Sequence, residues 1–516
     1  MKNGLLTKWL RAAIVVLVCA FSSVNSFGQS QRVADLTALI KQHADWNPGN
    51  FILNKLETNR IVMVGIERYG DPMYSRVIVN ALNDWVTQWG QNGPQEKAGK
   101  LPSKLFLILE MDSVQADGVK QYFRTGDPVQ TITPFSFIGD QFTTGKFEFC
   151  DDLRLIRQRV DSLNEHRPSN DQILFDIVGP EEIITPATWT TAKRDSLYVH
   201  GRDEYSSSRI EKLLDESPTA KALVFYGQQH LYTEKMEKFQ GKPQSMGYYL
   251  AHYLVQYFGS KGGVYTCEQI DVNADRARMD ESIKAIGKTF AIDGSVFDGA
   301  AVGTNAYIPW LDGAIFYFVP PRYTRQLSML YSQRLVDYVL KNIDSYRNVS
   351  EEYNRWVVLS WIYYLSNAAG VPFQGINYRN QVVIDSAVAA WKEWGRSTKL
   401  DIVGKITSLE YFKKYVDMMK SSDPRATMEY EQHLSTLVGF RDWFPMGTSP
   451  QVRADSMWAH IQRYRKSVIT ENLVYLLWVA TKSEKEKAMA VLEKETGMNF
   501  KTAGEWTKWW ESQKAK

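Results

Sequence analysis

The chain has 516 residues, 44% hydrophobic and 23% charged, which excludes fibrous and disordered classes and leaves room for two or three domains. Its formal net charge of +3, from 61 basic against 58 acidic residues, supplies no electrostatic drive toward nucleic acid or an anionic membrane surface. Neither partner is expected.

At the N-terminus, Lys2, Lys8 and Arg11 precede the apolar run "AAIVVLVCAF", and "SSVNSFGQSQ" then places the small residues Ser26 and Gly28 ahead of Gln29. This is the three-part layout of a secretory signal peptide. Residues 1–28 are read as that signal, with export to a periplasmic or extracellular location. The apolar run is well short of the roughly 20 residues that span a bilayer, so no integral membrane segment is expected after cleavage. Cys19 lacks the preceding small residue of a lipoprotein signal. Beyond it only Cys150 and Cys267 remain, too few for a disulfide framework or a cysteine zinc site, although an oxidising compartment would permit one bridge.

Six short apolar runs follow: "NRIVMVG" (59–65), "SKLFLILE" (103–110), "DQILFDIVG" (171–179), "KALVFYG" (221–227), "GGVYTCEQI" (262–270) and "GAIFYFVPP" (313–321). Strands separated by helix-length segments predict an α/β fold, a three-layer, largely parallel sheet with helices on both faces. After Pro321 the strand pattern fades into tryptophan- and tyrosine-rich amphipathic stretches such as "EEYNRWVVLSWIYYLSNAAG". The expected layout is therefore an α/β domain over 29–325 and an all-helical domain over 326–516.

The helical half echoes itself. A helix, a glycine, a turn with Phe373 or Phe500, and a helix closing on Trp391 and Trp394 or on Trp506, Trp509 and Trp510 occur twice, as in a HEAT-like solenoid. Packing is the expected role of these tryptophans, and the helical half could offer a surface to a protein partner. Limited proteolysis of the mature chain is expected to cut between residues 321 and 350, because "PPRYTRQ" and "DSYRNVSEEY" flank the change of pattern and inter-domain linkers are exposed. Cleavage confined to the N-terminal strands would refute that division.

If the sheet is parallel, the carboxyl ends of its strands share one edge, the edge where open α/β sheets bind ligands. The first strand leads to Glu67, Arg68 and Tyr69; the second ends in Glu110, followed by Asp112; the third carries Asp176 with Glu181 and Glu182 beyond; the fourth delivers His230. Such groups suit general acid–base hydrolysis of a small-molecule or peptide substrate. A carboxylate and histidine pair could instead hold a divalent metal that activates water. For Asp112, Glu181 and Glu182 a helix cap or loop hydrogen bond is the preferred reading, and Arg202 and Asp203 are read as the start of the helix before the fourth strand.

"NRIVMVGIERYGDP", "LFLILEMDSVQADGVKQYFRTGD" and the segment from "KALVFYGQQHLYTEK" to "GGVYTCEQI" resemble, in order and spacing, the erythromycin-esterase, ChaN and TraB/Tiki superfamily over about residues 55–320. Gly227 and His230 match its Gly-x-x-His, Met246 and Gly247 its following helix, Tyr265 its next strand, and Glu110 the glutamate closing its second strand. The first block departs from the pattern, since Ile66 and Tyr69, or Arg68 in the other alignment, stand where that family has glutamate and histidine. The resemblance implies a hydrolase of an ester, amide or peptide bond, with His230 as general base and Glu110 or Glu67 orienting it or holding a metal. The altered first block leaves a second class open: a ligand-binding or scaffold protein of the cell envelope.

Overall fold

The computed structural model describes residues 31–66, 72–91, 101–125, 144–169, 171–183, 201–233, 248–272, 279–297, 311–318, 333–344, 380–420 and 448–514, with short pieces at 192, 238–239, 242–243, 358–359, 361–362, 365–366, 368–369 and 434. Among the described residues seven strands form one sheet: β1 (Ile61–Ile66), β2 (Lys104–Leu109), β3 (Leu174–Val178), β4 (Lys221–Gly227), β5 (Val264–Asp271), β6 (Phe290–Asp293) and β7 (Gly313–Tyr317). Their spatial order is β3-β2-β4-β1-β5-β7-β6. All neighbours pair in parallel except β6, which runs antiparallel to β7. The six expected strands are present. β6 escapes the sequence pattern because it is four residues long and lies on the edge of the sheet.

Alternation along the central strands sorts their side chains into two layers. Val62, Val64, Leu105, Leu107, Leu223 and Phe225 pack under α1 (Pro48–Thr58), α2 (Pro72–Gln91), α3 (Ser113–Thr125) and α4 (Thr144–Asn164). Ile61, Met63, Phe106, Ile108, Val224 and Tyr226 face α5 (Arg202–Asp215) and α6 (Leu250–Phe258). Both faces of the sheet are thus covered, which is why its strands read as continuous apolar runs. On α5 the buried residues are Asp203, Ser206, Ser207, Ile210 and Leu214, one stripe at helical spacing. Burial of Ile210 and Leu214 contributes about 1.5–3 kcal/mol each and holds that stripe against the sheet.

The C-terminal region is helical: α7 (Gln333–Asn342), α8 (Gln381–Ser397), α9 (Ile402–Thr407), α10 (Leu409–Met418), α11 (Pro450–Val479), α12 (Lys482–Thr496) and α13 (Ala503–Lys514). Helix α11 is kinked at Tyr464, whose φ of −111° and ψ of 19° are not helical. Helix α12 opens on a capping box between Thr481 and Glu484 and ends at Gly497, with φ of 74°, both local signals written in the sequence. The tryptophans of the echo pack: Trp391 meets Trp394 edge-on at 5.2 Å, and Trp506 meets Phe500 at 5.0 Å and Trp509 at 5.7 Å. Phe373 lies outside the described residues. Tyr122 of α3 joins the core of the helical region, and the Arg154 guanidinium of α4, held by Asp151, lies 5.5 Å from the Trp478 ring.

Among the described residues no helix is long and apolar enough to cross a membrane. Cys150 and Cys267 are not joined by a disulfide. Burial pushes the Cys267 thiol well above its usual range.

Candidate functional site at the carboxyl edge of the sheet

The chain leaves β2 toward β3 on one side and leaves β4 toward β5 on the other. Neighbouring strands whose connections part in this way open a crevice at their carboxyl ends. Glu110, the residue after β2, and Gly227, the last of β4, meet there, the Gly227 N–H donating to Glu110 Oε2 at 2.7 Å. Beyond Gly227 the chain turns through a 3-10 helix, Gln228–Leu231. That single turn carries His230 back over the crevice, and the residue is only 4% exposed.

His230 sits between two carboxylates. Its Nδ1 is 2.8 Å from Asp203 Oδ2, and its Nε2 is 3.5 Å from Glu110 Oε1. Asp203 also accepts the N–H of Leu250 at 3.0 Å, tying the first turn of α6 to the first turn of α5. The Tyr226 ring stands edge-on to the imidazole at 5.5 Å between centroids. Burial alone would lower the pKa of His230, but Asp203 and then Glu110 outweigh it and raise it to about 10. The ring is therefore an imidazolium at neutral pH, donating from Nδ1 to Asp203.

Arg202 completes the cluster. Its Nη2 lies 2.5 Å from Glu110 Oε1 and 2.5 Å from Glu181 Oε1, and its Nε donates to Glu181 at 2.9 Å. Glu181 arrives by a glycine-dependent route. A Cβ on Gly179 would fall 2.2 Å from the Asp112 carbonyl oxygen, so only glycine lets the chain leaving β3 run against the chain leaving β2. There the Glu181 N–H donates to the Met111 carbonyl at 3.1 Å. Three carboxylates thus face two cations in a buried space, and one carboxylate is left poorly compensated. Burial and then the arginine act on both glutamates with opposite outcomes. Glu110, served also by His230 and the Gly227 N–H, is held down at about 2 despite its burial. For Glu181 burial prevails over Arg202, the Glu110 charge adds to it, and the carboxyl is pushed up to about 7. Burial and these carboxylates push the Tyr226 phenol well above its ordinary range.

Of the residues chosen on sequence, Glu110 and His230 come together here, while Glu67, Arg68 and Tyr69 lie outside the described residues, as do Met246 and Gly247. Asp112 does what a cap does: its Oδ1 accepts the Gln115 N–H at 2.9 Å, and its own N–H donates to Gln115 Oε1 at 3.1 Å. Asp176 pairs with Lys120 at 3.2 Å instead, and Glu182 is partly exposed. Glu181, Arg202 and Asp203 are the corrections. The cap reading of Glu181 fails because the chain paths after β2 and β3 converge, and Arg202 and Asp203 begin α5 as expected but also turn their side chains into the crevice. The available signal was the Gly-Pro pair, Gly179 and Pro180, before Glu181, and the charged pair at a helix start otherwise rich in serine.

Among the described residues no group of three or more His, Cys, Asp or Glu side chains is arranged to hold a metal ion. No family profile matches this chain, and no curated protein matches it. Among solved structures, a mutant of the erythromycin esterase EreC in its open conformation is similar over 55% of this chain and 96% of its own, with 13% identity and a TM-score of 0.34.

Proposed function

We propose that this chain is an exported hydrolase-like protein that cleaves an ester, amide or peptide bond by general acid–base chemistry at the carboxyl edge of its sheet. The observation that carries the reading is a buried His230 held between Asp203 and Glu110, with Arg202 dividing its charge between two glutamates that titrate far apart. Carboxyls separated in this way mark an acid and base assignment. Glu181, poised near neutrality, takes the proton of the attacking water. His230, already charged, stabilises the developing oxyanion and then gives its Nε2 proton to the leaving group. These roles exchange those drawn from the sequence, where the histidine was the base. Asp203 fixes the ring by accepting from Nδ1, as the orienting acid of a triad does. Arg202 and Glu110 hold the frame.

The test is a panel of ester, amide and peptide substrates given to the purified mature protein and to a His230→Gln variant. Hydrolysis of one class by the wild type, reduced about 10²–10⁴-fold in the variant, is the expected result. A panel left uncleaved by the wild type, with substrate-like ligands still bound at the same edge, would favour the binding-protein reading.

A further inference from the structure

The crevice has a support two strands away from the one that carries the imidazole. The β1–β5 ladder ends at Val64 and Cys267, whereas β1 stays paired with β4 as far as Ile66 and Gly227, and β5 continues along β7 to Asp271 and Tyr317. The two strands therefore part just as β1 reaches the site. Across the gap the buried side chain of Gln269, 1% exposed, donates from Nε2 to the Gly65 carbonyl at 2.8 Å. Its own Oε1 accepts the Tyr317 hydroxyl at 2.7 Å, so the amide is fixed at both ends. Gly65 in turn lies directly against the turn that carries His230: a Cβ there would be 3.2 Å from Leu231 Cδ2 and 3.3 Å from Gln228 Cα.

We propose that Gln269, oriented by Tyr317, is a positioning residue for His230, acting through the Gly65 backbone on the Gln228–Leu231 turn. A side-chain amide does here what the ladder does elsewhere, and it does so at the point where the sheet must open to admit a ligand. Loss of the bond lets Gly65 relax away from the turn and lengthens the contacts of the imidazole with Asp203 and Glu110.

The inference rests on the reading of His230 as the working group of the site, but its test needs no substrate. In the ¹⁵N-labelled mature chain, the His230 ring resonances are identified by their loss in His230→Gln and titrated against pH. In Gln269→Leu the titration midpoint should fall by about one pH unit or more toward the ordinary histidine value. Tyr317→Phe, which keeps the amide and frees only one end of it, should shift the midpoint in the same direction by less. An unchanged His230 titration in a folded Gln269→Leu variant would overturn the proposal. If that variant fails to fold, Tyr317→Phe decides: a fall supports the proposal and an unchanged midpoint overturns it. Hydrolysis by the wild type with an unchanged imidazole in the variants would reject this inference alone.

Discussion

Arg202→Leu should destabilise the protein by about 3–5 kcal/mol, the cost of leaving a buried charge without its partner. Arg202 is 12% exposed, and the carboxylates it serves, Glu110 and Glu181, are 6% and 3% exposed. Neither glutamate has water to fall back on when the guanidinium is gone. Urea unfolding of wild type and variant at pH 7 measures the difference. The deficit should shrink at lower pH, because without the guanidinium both carboxyls take up protons at higher pH than in the wild type. It should also be largely recovered when Glu110→Gln and Glu181→Gln are added, since a neutral hydrogen-bonded cluster carries no charge penalty. A single variant within about 0.5 kcal/mol of wild type would mean that the arginine is solvated and the cluster is not a buried network.

Glu181→Gln should separate activity from stability. The glutamine keeps an oxygen for Arg202 but removes a carboxyl that titrates near neutrality. If Glu181 is the base, hydrolysis falls about 10²–10⁴-fold, while the fold is not weakened. The sign of the stability change follows from linkage. Burial raises Glu181 from its ordinary 4.5 to about 7, so between these values the folded state holds a proton that the unfolded state has lost, and stability falls as pH rises across that window. The glutamine variant escapes this loss and should gain on wild type from about pH 4.5 to 7, then keep a constant advantage. For the wild-type protein the proposed assignments predict a bell-shaped rate profile. The ascending limb lies near 7, as Glu181 becomes a base, and the descending limb near 10, as the His230 imidazolium loses its proton. A profile that descends near 7 would reverse the two roles, and a Glu181→Gln variant of full activity would remove Glu181 from the chemistry.

His230 has its own stability signature. Its folded value, about 10, lies above the ordinary 6.5. The stability it contributes is therefore complete below about pH 6.5 and is lost as pH rises through 10. Glu110, held at about 2, contributes stability that is present above about 4.5 and lost as pH falls toward 2. The cluster is thus most stabilising in the acid half of the range and most active, on the assignments above, toward the alkaline half.

Local pattern was enough for the α/β class, six of the seven strands, the helical C-terminal region and the two groups, Glu110 and His230, that stand directly after buried strands. Each depends on a signal a few residues long: an apolar run bounded by glycine, an amphipathic stretch, a residue placed just past a strand. The four-residue β6 carried too short a signal. Only the tertiary structure decided which charges share the crevice. Glu181 joins Glu110 because Gly179 lets two chain paths touch, Arg202 and Asp203 reach the cluster because α5 packs its Ile210 and Leu214 on the sheet face of Phe106, Ile108 and Val224, and Gln269 reaches Gly65 because two strands part at Cys267. None of these distances is written in sequence separation, and the protonation that follows from them is a property of the cluster as a whole. Burial sets the cost of charge and the partners set which carboxyl bears it, so the roles of these residues were decided by packing and not by residue type.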